Sequence, residues 1–206
     1  MKDGIKIYKD PIEGRNYAMC VDVSRGQGID YHAATVIDIS SMPYEVVAVF
    51  RNNEIPPAIL PNLLDRLGNK YNEAFCLVET NDIGSQVAEI MHSDMEYENI
   101  LYTSVRGHRG QALGAGFGSN SRLGVKTSTS TKRIGCSNLK SMVEDDKIII
   151  PDYDVIGELS TFISKSNSYC ADSGHNDDLV MTLALFGWMT SQPYFKELSN
   201  FNIREE

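Results

Sequence analysis

Four carboxylates occupy places where a folding chain does not put charge without a reason. Asp22 interrupts the apolar run YAMCVDV (17–23) just before the turn SRGQG, Glu79 follows the run AFCLV (74–78), and Asp177 and Asp178 open NDDLVMTLALFGWMT, which is apolar nearly all round. An ionised carboxylate taken out of water is costly unless it is paired or binds a metal. Three carboxylates brought together without basic partners repel and raise one another's pKa, and a divalent cation resolves the conflict. An oxygen-only donor set favours Mg2+ or Mn2+ over zinc. Two such ions close together can hold a phosphodiester, activate the attacking water and stabilise the leaving oxygen. Taken singly, each acid has an ordinary explanation, as a strand end reaching solvent or as a helix cap; the conjunction carries the reading. Asp82, in the ETND turn, is a reserve ligand, and His175, beside the acidic pair, is a possible auxiliary to water or phosphate. The other acids, Asp30, Asp38 and Asp152 among them, are expected at the surface, and His32 and His108 in loops.

The elements that must position these acids follow from hydrophobic spacing. Residues 17–23, 33–39 and 44–50 read as three strands joined by short turns, an antiparallel meander. A helix opening at Pro56-Pro57 carries Ile59, Leu60, Leu63, Leu64, Leu67 and Tyr71 at helical spacing. A buried strand (74–78), a short helix (84–92) and a strand (100–102) follow, which implies parallel pairing through crossovers. The early part of the Gly-rich segment that comes next has no amphipathic period and reads as a loop. From about Thr129 a helix points Ile134, Leu139, Met142 and Val143 inward. After a short strand (147–150), residues 154–165 form an amphipathic helix with Val155, Ile156, Leu159, Phe162 and Ile163 on its apolar side. A polar loop then leads to the buried final helix. The order predicts an α/β fold, a mixed sheet of three antiparallel strands and then parallel strands, flanked by helices. If its first and fourth strands are neighbours, Asp22 and Glu79 lie side by side, and a crossing helix delivers the third acid. Residues 1–16 read as a linker or edge segment, 17–191 as the domain and 192–206 as a tail.

Bulk properties narrow the function. A chain of 206 residues with 42% hydrophobic and 23% charged content suits one soluble domain. No apolar run is long enough to span a bilayer, and the N-terminal MKDGIKIYKDPIEG lacks an apolar signal core. The four scattered cysteines form no CxxC pair, which argues against structural zinc and disulfides. The net charge is −9, but Val105 to Lys140 holds seven basic residues (Arg106, Arg109, Arg122, Lys126, Lys132, Arg133, Lys140) and no acid, leaving −16 for the remainder. A basic island in an acidic chain is the electrostatic footprint of a polyanion partner. GFGSNSRLGVKT fails as a phosphate loop, because its spacing is wrong and no strand immediately precedes it.

The wording of CVDVSRGQGIDYHAATVIDI, LVETNDIGSQV, GVKTSTSTKRIGCSNLKSMVEDDKIIIPD and GHNDDLVMTLALFGW resembles the C-terminal nuclease domain of the large terminase subunit of tailed phages, specifically the contractile-tailed enterobacterial type. The resemblance runs from about Tyr17 to Thr190. It implies a ribonuclease-H-like fold and a metal-dependent endonuclease that cuts concatemeric double-stranded phage DNA during packaging, with low sequence specificity. It also implies that Asp22, Glu79 and an acid of the NDDL pair bind metal, with Mg2+ or Mn2+ as cofactor and two ions expected, and that cleavage leaves a 5′-phosphate and a 3′-hydroxyl. Helix geometry sets Asp177 in line with Val180 and Ala184, and Asp178 in line with Met181 and Leu185. Both faces are apolar, so periodicity does not choose, and both stay, with a slight lean to Asp177. The seven basic residues are expected on backbone phosphates. Implied partners are the ATPase domain, for which this chain has no phosphate loop, the small terminase subunit and the capsid portal, in the cytoplasm of the infected host. A non-catalytic DNA-gripping module and a Holliday-junction resolvase of the same fold are the alternatives.

Overall fold

The computed structural model describes residues 4–25, 30–105, 110–116, 120–165 and 168–199. The first half runs β1 (Ile5–Ile7), β2 (Tyr17–Asp22), β3 (His32–Asp38), β4 (Tyr44–Asn52), α1 (Leu60–Lys70), β5 (Phe75–Val78) and α2 (Gly84–Glu89), which continues through a π-helical turn, Ile90–Asp94. Three short strands follow, β6 (Tyr102–Val105), β7 (Gln111–Gly114) and β8 (Ser121–Leu123). The second half runs α3 (Thr129–Glu144), β9 (Ile148–Ile149), α4 (Tyr153–Thr161), β10 (Phe162–Lys165), β11 (Ser168–Ala171), α5 (Asp178–Thr190) and α6 (Pro193–Ser199).

The main sheet has the order β1-β4-β3-β2-β5, with β9 added parallel to β4. β2 pairs antiparallel with β3 and parallel with β5, so the first and fourth predicted strands are neighbours. Side chains of a strand alternate between faces, and β2 shows it. Ala18 and Cys20 join the core that contains Leu179, Leu183 and Phe186 of α5, while Tyr17, Met19 and Val21 join the core with Leu60, Leu64 and Tyr71. A sheet covered on both faces is apolar throughout, and every residue of β2 except Asp22 is buried. The 2.0 period then decides where the acids point: Asp22 extends the Ala18–Cys20 row and Glu79 extends the row of Leu77, both toward α5.

Several expectations need correction. The Gly-rich segment is not all loop: among the described residues β7, β6 and β8 form a separate three-stranded antiparallel sheet, and its flanks join the main sheet through isolated parallel bridges, Ile100 to Cys76 and Val125 to Glu79. Pro61, not Pro56-Pro57, lies in the first turn of α1, just after Leu60, as suits a residue without an N–H at a helix start. The amphipathic helix stops at Thr161, and Phe162–Lys165 turns into a hairpin with Ser168–Ala171. Ile134, Val143, Ile156 and Ile163 are exposed. On α3 the buried stripe instead runs through Thr131, Gly135, Cys136, Leu139 and Met142, because that face presses on α5. Residues 193–199 form a helix whose Phe195 and Leu198 are buried. His32 is buried in β3, where Nδ1 accepts from the Ser24 N–H at 3.2 Å and Nε2 meets the Ile55 carbonyl at 2.9 Å. Asp38 is buried and paired with Arg15 at 2.7 Å.

Asp152 is also no surface charge. Its side chain is wholly buried, caps α4 by accepting from the Val155 N–H at 2.8 Å, and accepts from the Tyr8 hydroxyl at 2.5 Å and Lys6 at 3.2 Å. Burial pushes its carboxyl up, but Tyr8, the Val155 N–H and Lys6 outweigh that and hold it below the usual range. A depressed folded-state pKa gives stability that is present above the unfolded value and lost as pH falls through the folded one. Asp152→Ala is therefore expected to cost about 2–3 kcal/mol at pH 7, the scale of a buried charge-assisted cap. Urea denaturation checks this, and the difference from the wild type should shrink below about pH 4, near the ordinary carboxylate value.

Candidate metal centre

Asp22 is the last residue of β2, and Glu79 follows β5. The Glu79 N–H donates to the Val21 carbonyl at 2.8 Å, extending the parallel ladder by one rung and setting the two acids side by side. Asn81 donates to Glu79 Oε1 at 3.0 Å and to the Thr127 carbonyl at 3.2 Å, which fixes the Glu79 carboxylate. Gly84 lets α2 start directly against this segment, since a Cβ there would run into the Glu79 carbonyl.

The two aspartates of the NDDL pair part company. Asp178 opens α5; its Oδ1 accepts from the Tyr31 N–H at 3.3 Å and its Oδ2 from Asn176 at 3.3 Å. Asp177 turns toward the hairpin and α3, where Oδ2 accepts from the Ala171 N–H at 3.3 Å and lies 3.7 Å from Lys132 Nζ. Burial pushes the Asp22 carboxyl well above the usual range, and repulsion from Glu79, a shared hydrogen bond with it, and the charges of Asp178 and then Asp177 add to the rise. Burial also raises the Asp178 carboxyl, against the pull of its hydrogen bonds and of Arg51.

Asp22, Asp177 and Asp178 border a cavity of about 400 Å³, together with Arg25, Asp30 and Asp82 among others. Among the described residues, no three His, Cys, Asp or Glu side chains are already gathered as an ion cage. The donor set nevertheless fits a hard divalent cation. All the donors are carboxylate oxygens, and the strongest charged influences on Asp22 are acidic.

The other predicted residues are scattered. Asp82 lines the cavity but is held by Arg25 in a two-point pair, 2.5 and 3.1 Å. His175 is exposed, and its N–H donates to the Asp172 carbonyl. Arg122 and Lys126 line a neighbouring cleft of about 990 Å³ that shares Asp82 with the acidic cavity. Lys132 lies beside Asp177, whereas Arg133 and Lys140 are exposed on α3, and Lys140 lies 3.6 Å from Glu144. Arg106 and Arg109, with His108, lie outside the described residues. Sequence reasoning missed Asp30 and Arg25 in the cavity wall, since a turn beside a strand gives no periodic signal. It also missed Glu158, whose carboxylate is buried in α4 and pushed up to about 7 by burial, against the pull of the Val180 N–H, Arg51 and the Leu179 N–H, while the Asp178 charge adds to the rise.

Comparison with solved structures finds the same fold. The large terminase nuclease from thermophilic phage G20c with bound magnesium matches at a TM-score of 0.67 and 22% identity, over 89% of this chain and 86% of that one. The same nuclease with bound cobalt matches at 0.66 and 21%, over 89% and 86%. The Thermus phage P74-26 large terminase nuclease domain matches at 0.64 and 21%, over 88% and 83%. The family profile described as the terminase RNaseH-like domain covers residues 19–186. With the profile spanning most of the chain, and with the strand-end acid Asp22 and the helix-start acid Asp178 lining one cavity, this protein belongs to the terminase RNaseH-like domain family.

Proposed function

We propose that this domain is a divalent-metal-dependent endonuclease that cuts double-stranded DNA with little sequence preference during phage genome packaging. The observation that carries the proposal is Asp22, an acid at the end of the central strand, pressed against other acids with no cation among its strongest partners. The similar phage G20c large terminase nuclease has been solved with bound magnesium, cobalt and zinc, which supports a divalent ion here. Asp22, Glu79 and Asp178 would hold it, with two ions in the full site. Such an ion supplies Lewis-acid stabilisation of phosphoryl charge and makes water a usable nucleophile at neutral pH.

The chain's own residues do the rest. Adjacent strands fix Asp22 and Glu79, and Asn81 and the Tyr31 N–H orient the Glu79 and Asp178 carboxylates. Lys132 holds Asp177 aside, so Asp178 takes the third place in preference to its neighbour. Arg122 and Lys126 engage backbone phosphates in the adjoining cleft, which gives affinity without reading sequence. In the host cytoplasm the domain would act beside a packaging ATPase, a small terminase subunit and a portal.

The test is nicking of supercoiled plasmid in Mg2+ or Mn2+ by the wild type and two variants. Asp178→Asn should lose at least about 100-fold in rate, beyond the 10–100-fold typical of residues that merely support a ligand; Asp177→Asn should stay within about tenfold. The reverse pattern would move the third ligand to Asp177. Wild-type binding of DNA without cutting would mean a gripping module, and strong preference for branched junctions a resolvase.

A further inference from the structure

Helix α5 carries Asp178 at its first residue but brings no cap of its own, because Asp177, at the N-cap position, makes no side-chain bond to the helix. The first N–H groups of a helix need acceptors, and a neighbouring helix supplies one. Glu158 of α4 is 6% exposed, and its Oε2 accepts from the Leu179 N–H at 2.8 Å and the Val180 N–H at 3.1 Å. A carboxylate there also meets the positive end of the helix dipole. Its other oxygen lies 3.3 Å from Nη2 of Arg51, on β4. The Arg51 guanidinium lies 3.9 Å above the ring of Tyr31, and the Tyr31 N–H is the group that donates to Asp178. The chain of contacts therefore closes on itself: Glu158 holds the backbone just after Asp178, and Arg51 ties Glu158 to the residue that holds the Asp178 carboxylate.

We propose that Glu158 is a positioning residue of the metal centre, fixing the first turn of α5 so that Asp178 meets Asp22 and Glu79. This rests on the reading of Asp178 as a ligand. Glu158 itself does not line the cavity, so its effect reaches an ion only through Asp178.

The measurement is Mn2+ affinity of the folded domain without DNA, by electron paramagnetic resonance titration, with circular dichroism confirming the fold. Glu158→Ala removes the acceptor. Glu158→Asp keeps the charge near Arg51 but is one methylene too short to reach both N–H groups. Both should weaken Mn2+ binding by about 10–100-fold, the usual worth of a partner that orients a metal ligand; if the Ala variant does not fold, the Asp variant decides. Combining Glu158→Gln with Arg51→Met keeps an acceptor oxygen for both N–H groups and removes the cation that a Gln amide would oppose, at the cost of the Arg51–Tyr31 contact, and should bind Mn2+ at least about threefold more tightly than Glu158→Ala. Unchanged affinity in Glu158→Asp, or loss in the Gln/Met pair equal to that in Glu158→Ala, overturns the positioning role. A wild type that neither binds Mn2+ nor nicks plasmid overturns the metal-centre reading itself.

Discussion

Replacing Asp22 by Asn is expected to abolish metal-dependent cutting of plasmid DNA while making the metal-free domain more stable. The loss should reach about 1000-fold or more, since the residue proposed to bind the ion directly goes, and even outer partners are worth 10–100-fold. The gain has a separate cause. Burial, helped by Glu79, Asp178 and Asp177, raises the Asp22 carboxyl well above its usual range. An acid with a raised folded-state pKa opposes folding once it is ionised, so the cost begins above the unfolded value and grows until pH passes the folded one. Without metal, the wild type should lose stability as pH rises through that window, and Asp22→Asn should not. At neutral pH the variant should be about 1–3 kcal/mol more stable, the scale of relieving one poorly satisfied buried polar group. Added Mg2+ should then raise the melting temperature of the wild type and leave that of Asp22→Asn unmoved, because an ion stabilises only the state that binds it. Thermal melts at several pH values, with and without Mg2+, read both effects.

Gly135→Val is expected to damage fold and site together. A Cβ at Gly135 would run into the Ala184 carbonyl, and one at Gly187 into the Gly135 carbonyl, so α3 and α5 touch backbone to backbone. Asn138 adds a bond to the Gly187 carbonyl at 2.9 Å. Helix α5 cannot retreat, since Leu179 through Met189 are all buried. Overpacking of this kind costs about 3 kcal/mol, or roughly 6–12 °C in melting temperature for a domain of this size. Any shift of α5 also moves Asp178, and a displacement of about 1 Å in a catalytic constellation can cost roughly 100-fold in rate. Gly157→Ala is the control. Its Cβ would meet nothing within 4 Å on α4, so it should be neutral or stabilise by up to about 1 kcal/mol. Melting temperature and nicking rate, measured on both variants, separate crowding at the α3–α5 contact from a general intolerance of glycine substitution.

The strands that hold the acids were legible because their signal is local. The apolar runs before Asp22 and Glu79 mark buried strands, and the 2.0 period sends both acids to one face once those strands are neighbours. The buried final helix was equally plain, since its apolar content is continuous. What escaped depended on partners far along the chain. Asp152 looks like a surface charge until Lys6 and Tyr8, more than 140 residues earlier, are folded against it. His32 looks like a loop residue until Ser24 and Ile55 close around its ring. The small sheet of β6, β7 and β8 was missed because its strands are three or four residues long and lack apolar alternation. On α3, counting apolar residues favoured Ile134 and Val143, whereas contact with α5 selects small residues such as Gly135 and Cys136. The pair Asp177 and Asp178 could not be parted by helical period, because α5 is buried on every side; the proposal of Asp178 rests instead on the different contacts of the two carboxylates.

A divalent ion held by Asp22, Glu79 and Asp178 is the centre of the proposed mechanism. Crystals of the domain grown or soaked with Mn2+ and measured for anomalous scattering should show a peak in contact with Asp22, Glu79 and Asp178, and none in contact with Asp177. A domain that nicks plasmid in Mn2+ yet shows no peak among those three carboxylates, or binds its ion elsewhere, would contradict it.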